Sequence, residues 1–130
     1  MGRRVLVVDD DSQNAYLVRF ILEKRGYEVA VVHDGEAAVD AVTTFGPDLV
    51  LMDMLLPKMS GQEATRRIKR SPDSASLPVV ALTAFSMKGD RERILDSGCD
   101  GYMSKPIDPD TFVEDMERYL QSGADPGTDG

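Results

Sequence analysis

Val5-Leu6-Val7-Val8 leaves a strand no side to present to water. Successive strand side chains point to opposite faces, so a half-exposed strand alternates apolar and polar residues. A run without alternation is buried on both faces, the mark of a parallel sheet covered by helices above and below. Such runs recur at Glu28 to Val32, Asp48 to Met52, Leu77 to Leu82 and, more briefly, Asp100 to Met103. Helical spacing fills the gaps. Ser12 to Arg25 carries Ala15, Leu17, Val18, Ile21 and Leu22, with Gly26 positioned to end it. Glu36 to Phe45 turns Ala38, Val39, Ala41 and Val42 inward before Gly46-Pro47. Gln62 to Arg70 stops at Ser71-Pro72, a helix starting at Met87 or Lys88 stops after Asp96 near Gly98, and Asp110 to Leu120 presents Phe112, Val113, Met116 and Leu120.

Five strands alternating with five helices predict an α/β fold, a flavodoxin-like (βα)5 with a parallel sheet in the order 2-1-3-4-5. The 130 residues suit one domain, expected over residues 1–121. Residues 122–130 are small and polar, and read as a disordered tail or a truncated linker. The formal charge of −8 argues against direct nucleic-acid binding and against a polybasic membrane surface. No apolar run approaches the roughly 20 residues of a membrane span. The single cysteine, Cys99, excludes an internal disulfide framework and suits a cytoplasmic, reducing location.

The first strand runs straight into Asp9, Asp10 and Asp11. Like charges about 4 Å apart repel by roughly 4 kcal/mol at an effective dielectric near 20, so something must offset them. In an open α/β sheet, ligands bind beyond the carboxyl ends of the strands, where the strand order reverses. That edge gathers Asp9 and Asp10 after strand one, Asp53 after strand three, Thr83 after strand four and Lys105 after strand five. Carboxylates with a hydroxyl and a lysine form an oxygen-rich cation site of the kind Mg²⁺ favours. A carboxylate held beside a metal, a lysine and a hydroxyl can accept a phosphoryl group. Asp11 and Ser12 are read as capping the first helix.

V-L-V-V-D-D, D-L-V-L-M-D-M-L-L-P-K-M-S-G, V-V-A-L-T-A and G-Y-M-S-K-P together resemble the signature blocks of response-regulator receiver domains, from about Arg4 to Gln121. A weaker likeness is to single-domain cell-polarity regulators and hybrid-kinase receivers. The resemblance implies two-component signalling: Asp53 accepts phosphate from a histidine kinase or a histidine phosphotransfer protein, with Mg²⁺ as cofactor and Mn²⁺ able to substitute. It makes Asp9, Asp10, Asp53 and the Leu55 backbone carbonyl the metal ligands, Asp10 the more direct of the acidic pair. Thr83 and Lys105 become the switch hydroxyl and the conserved lysine. Tyr102 is the aromatic that follows Thr83, and Lys105-Pro106 a cis peptide. Leu55 and Phe85 occupy the positions that tune hydrolysis, and being apolar they imply slow self-dephosphorylation. The output face is that of the fourth helix, fifth strand and fifth helix, read by an unknown downstream protein or by a second copy in a phosphorylation-dependent homodimer. Such a domain is a phosphoacceptor with limited self-phosphotransfer, not a metabolic enzyme.

Two rivals share the fold. A haloacid-dehalogenase-type phosphatase would use Asp9-x-Asp11, Thr83 and Lys105, with Asp9 as nucleophile, but the later acidic pair and room for a cap are missing. A flavin or dinucleotide module needs glycines or hydroxyls after strand one, where D-D-D-S-Q-N repels phosphate. A calcium loop counted from Asp9 fails, with Asn14 in place of the turn glycine and Phe20 in place of the closing glutamate. His33 stands alone, Cys99 reads as a packed thiol, the methionines as core filler, and the basic run from Arg66 to Arg70 as a solvated helix face.

Overall fold

The computed structural model describes residues 3–54, 56, 58–83, 92, 94–105 and 107–124, without the side chains of residues 83 and 121–124. β1 spans Arg4–Val8, α1 Ser12–Lys24, β2 Glu28–Val32, α2 Gly35–Thr44, β3 Leu49–Met52, α3 Gly61–Arg70, β4 Val79–Thr83 and β5 Gly101–Ser104. Glu92 and residues 94–96 are helical and belong to α4, and α5 spans Phe112–Ala124. The strands form one parallel sheet in the order β2-β1-β3-β4-β5, as expected.

Alternation along the strands divides the core in two. Val5, Val7, Leu49, Leu51, Val80 and Leu82 pack with Ala15, Val18 and Leu22 of α1 and Phe112, Val113, Met116 and Leu120 of α5. Leu6, Val8, Val50, Met52, Val79 and Ala81 pack on the other face with Ala38 and Ala41 of α2, Ala64 and Ile68 of α3, and Ile94 of α4. The division follows from handedness. Crossovers between parallel strands are right-handed, so a helix changes face when the chain reverses direction across the sheet. The chain steps from β1 to β2, then back past β1 to β3, which sends α1 to one face and α2 to the other. That reversal puts β1 and β3 side by side at the switch point.

Element ends differ from expectation by a residue or two, and by four at the end of α5. Pro78 has no N–H to donate, so β4 starts at Val79, although the Pro78 carbonyl already accepts from Val50 N at 3.0 Å. Asp110 sits in a turn, its N–H donating to Asp108 Oδ1 at 2.9 Å, so α5 begins at Phe112. α5 continues past Leu120 to Ala124. Gly26 has φ +92°, the left-handed conformation expected of the residue that ends α1. In α1, Leu17 is turned out, 37% exposed, rather than inward. Lys69 also departs from a solvated reading: its ammonium donates to Leu77 O at 2.7 Å, Ala75 O at 3.4 Å and Asp100 Oδ2 at 2.7 Å. Among the described residues no helix is long and apolar enough to cross a membrane.

Candidate functional site

Two backbone hydrogen bonds carry the sheet one residue beyond its strands. Asp9 N donates to Val32 O at 3.1 Å, and Asp53 N donates to Val8 O at 2.9 Å. Asp9 and Asp53 are thereby fixed on neighbouring strand ends at the switch point. Asp9 is fully buried and Asp53 is 5% exposed, while Asp10 faces solvent. One carboxylate oxygen from each of Asp9, Asp10 and Asp53 lies within 4.8 Å of the others.

Burying two carboxylates beside a third is costly unless they are paired and hydrogen-bonded. Lys105 Nζ lies 3.1 Å from Asp9 Oδ2 and 3.4 Å from Asp53 Oδ2. Asp9 Oδ1 accepts from Asp11 N at 2.9 Å, and its Oδ2 accepts from Asn14 Nδ2 at 2.7 Å. Burial acts to lower the pKa of Lys105, but the hydrogen bond to Asp9 and the charges of Asp53 and Asp9 more than offset it, so the ammonium form is favoured. Formally, three carboxylates against one ammonium leave the cluster two charges negative, which a divalent cation balances. The all-oxygen donor set, open to solvent at Asp10, suits Mg²⁺, which keeps several of its waters.

The third aspartate of the run is spent on the helix. Asp11 is the N-cap of α1 and accepts from Gln13 N at 3.0 Å and Asn14 N at 3.3 Å; Ser12 is the first helical residue. The opening repulsion is thus relieved in part, by Lys105 at one end and by helix amides at the other. His33 Nδ1 lies 3.0 Å from the Asp9 carbonyl oxygen. Cys99 is buried, and burial pushes its thiol up, as for a packed side chain.

Thr83 ends β4 opposite Ser104, and Tyr102 pairs with Ala81 across the same two strands. Tyr102 is half-buried against the α2–α3 side of the core. It also lines a groove of about 390 Å³ between β5 and α5, with Met103, Ile107, Phe112 and Tyr119. The Thr83 side chain, Leu55, Phe85 and Pro106 lie outside the described residues.

Two neighbours of the site went unassigned in the sequence. Gly61 opens α3 directly beneath Asp53: a Cβ there would stand 2.1 Å from Asp53 O and 2.8 Å from Met54 Cα. Its N–H donates to Met54 O at 3.2 Å, so the α3 start and the loop after β3 are one unit. The glycine within K-M-S-G was the available signal. Asn14 reads as an ordinary polar residue of a first helical turn, and only its distance to Asp9 reveals the contact.

A family model for the response regulator receiver domain matches residues 5–117. The polar-differentiation response regulator DivK of Brucella anthropi is 42% identical over 120 residues, covering 92% of this chain and 98% of that protein. The receiver domain of sensor histidine kinase PA1611 from Pseudomonas aeruginosa, solved with a magnesium ion coordinated in its active site cleft, is 34% identical with a TM-score of 0.86. That comparison covers 94% of this chain and 100% of the other. A putative response regulator from Chloroflexus aurantiacus has a TM-score of 0.88 at 29% identity, covering 93% and 99%. With the acidic pair, the aspartate after β3 and the lysine after β5 brought together, this chain belongs to the response regulator receiver domains of two-component systems.

Proposed function

We propose that the chain is a Mg²⁺-dependent phosphoacceptor switch with Asp53 as the acceptor. The observation that carries this is Asp53 at the switch point, within reach of Lys105 and sharing a 4.8 Å cluster with Asp9 and Asp10. A histidine kinase or histidine phosphotransfer protein supplies the group. An Asp53 carboxylate oxygen attacks phosphorus, the phosphorus–nitrogen bond of the donor's phosphohistidine breaks, and the imidazole leaves with the bonding pair. When bound between Asp9, Asp10, Asp53 and the Leu55 carbonyl, Mg²⁺ (or Mn²⁺) supplies charge neutralisation for the phosphoryl oxygens. Lys105 supplies a second positive charge from the protein side and bridges Asp9 and Asp53.

Phosphorylation adds charge at Asp53. The Thr83 hydroxyl follows it, Tyr102 moves with Thr83, and the α4–β5–α5 face changes shape. Downstream proteins, or a second copy of the chain, read that face. Leu55 and Phe85, both apolar, shield the acyl phosphate, so hydrolysis is slow. Lys105-Pro106, as a cis peptide, would aim the lysine. We assign the switch to the cytoplasm, where Cys99 stays reduced. Asp9 is a poor nucleophile by comparison: both its oxygens are engaged by Asp11, Asn14 and Lys105.

The test is transfer from a radiolabelled phosphohistidine protein. Label should pass to the wild-type chain with Mg²⁺ and not to Asp53→Asn, and persist for many minutes after the donor is removed. Label on Asp53→Asn but not on Asp9→Asn would restore the phosphatase-type reading.

A further inference from the structure

Asn14 reaches back from the first turn of α1 to the fully buried carboxylate of Asp9. A carboxylate only accepts hydrogen bonds, so the group at 2.7 Å from Asp9 Oδ2 is the amide nitrogen, as donor. Asp9 is fully buried, and its donors divide between its two oxygens: Asp11 N on Oδ1, Asn14 and Lys105 on Oδ2. Lys105 also faces Asp53 Oδ2, at 3.4 Å, so its contact with Asp9 is shared. Asn14 and the Asp11 amide are the two described donors that serve Asp9 through its side chain alone and stand on the same short segment as the carboxylate. They fix the carboxylate plane from both sides. Asn14 is itself held, because its own N–H donates to Asp11 Oδ1 at the helix cap.

We infer that Asn14 is a positioning residue: it orients the Asp9 carboxylate for cation binding and leaves Lys105 able to follow Asp53. Without it, Asp9 Oδ2 depends on Lys105 alone and draws that ammonium away from Asp53. The inference rests on the phosphoacceptor reading above. Groups that orient a ligating side chain typically contribute roughly 10- to 100-fold to metal affinity. Asn14→Leu, which keeps the approximate volume and loses the donor, is therefore expected to weaken Mg²⁺ binding about tenfold. Asn14→Gln, which keeps the amide, should recover part of the loss.

The experiment is calorimetric Mg²⁺ titration of wild type, Asn14→Leu, Asn14→Ser and Asn14→Gln, with hydrogen exchange at the Asp11 amide measured in metal-free protein. Serine is too short to reach Asp9, so it stands in for leucine if that variant does not fold. Expected are weakened binding in the leucine and serine variants, partial rescue by glutamine, and faster Asp11 exchange where the donor is lost. A folded Leu or Ser variant with wild-type affinity and unchanged Asp11 exchange overturns the role of Asn14. So does an equal affinity loss in all three variants with Asp11 exchange unchanged, which is the pattern of nonspecific damage. A wild-type protein that binds no Mg²⁺ refutes the phosphoacceptor reading itself, and this inference with it.

Discussion

Replacing Gly61 with alanine adds one methyl group in a place that has none to spare. The new Cβ would lie 2.1 Å from Asp53 O, where ordinary contact begins at 3.4 Å, so the two must part by about 1.3 Å. The obstacle is backbone on a strand end that is hydrogen-bonded to Val8, not the tip of a flexible side chain. Alanine gains about 0.5–1 kcal/mol by restricting the unfolded chain. Overpacking costs typically 1–3 kcal/mol, and a rigid neighbour puts this case at the upper end. The clash wins, with a net loss of about 2 kcal/mol, or roughly 8 °C in melting temperature for a chain of this size. Displacing the Asp53 peptide by about 1 Å should also slow phosphoryl acceptance on the order of 100-fold. Urea unfolding measures the first effect, and the rate of adduct formation with a small phosphodonor the second. Unfolding within about 0.5 kcal/mol of wild type together with an unchanged rate would refute the claim that Gly61 sets the position of Asp53.

Lys69→Met should destabilise the fold by about 1–3 kcal/mol, because Leu77 O and Asp100 lose their charged partner; unchanged urea unfolding would show that the clamp is idle. Asp10→Asn removes one of three crowded carboxylates. In chelator it should melt higher than wild type, by about 1 kcal/mol of stability after solvent screening of the exposed group, yet gain less from added Mg²⁺. A variant that melts no higher in chelator would mean the repulsion is already relieved. Tyr27 donates a hydrogen bond to Glu117 and its pKa is pushed up to about 12, first by burial and then by Glu117. A folded pKa above the unfolded value gives stability that is complete below the ordinary 10.0 and lost as pH rises to about 12. Lys105 titrates in the same direction, so the comparison is between wild type and Tyr27→Phe: from pH 9 to 11.5 the variant should lose less stability, and equal losses would contradict the assignment.

The sheet was legible because its strands have no polar face. Val5 to Val8 and Leu49 to Met52 fit only a doubly covered parallel sheet, and the switch point then follows from strand order. That geometry alone brings Asp9, Asp10, Asp53 and Lys105 together from three places in the chain. The outer surface was less legible. In α1 the stripe Ala15, Val18 and Leu22 exhausts the space against the sheet, so Leu17 and Phe20 are turned out even though they are apolar. Lys69 looked like one more charge in a basic run, and its burial to 18% exposure depends on a loop eight residues away and on Asp100. Gly61 and Asn14 act by distances to atoms that are remote or oddly spaced in sequence, 2.1 Å to Asp53 O and 2.7 Å to Asp9 Oδ2. No periodicity encodes such approaches. The roles proposed for Thr83, Tyr102, Leu55, Phe85 and Pro106 rest on family resemblance alone.

The central claim is that Asp53 takes a phosphoryl group in a cation-dependent reaction. Intact mass after incubation with a small-molecule phosphodonor, with and without Mg²⁺, tests it on wild type and Asp53→Asn. The account predicts a single phosphoryl adduct on wild type that needs Mg²⁺ and is absent from Asp53→Asn. An adduct that persists in the variant, or the lack of any adduct on folded wild type that binds Mg²⁺, would contradict it.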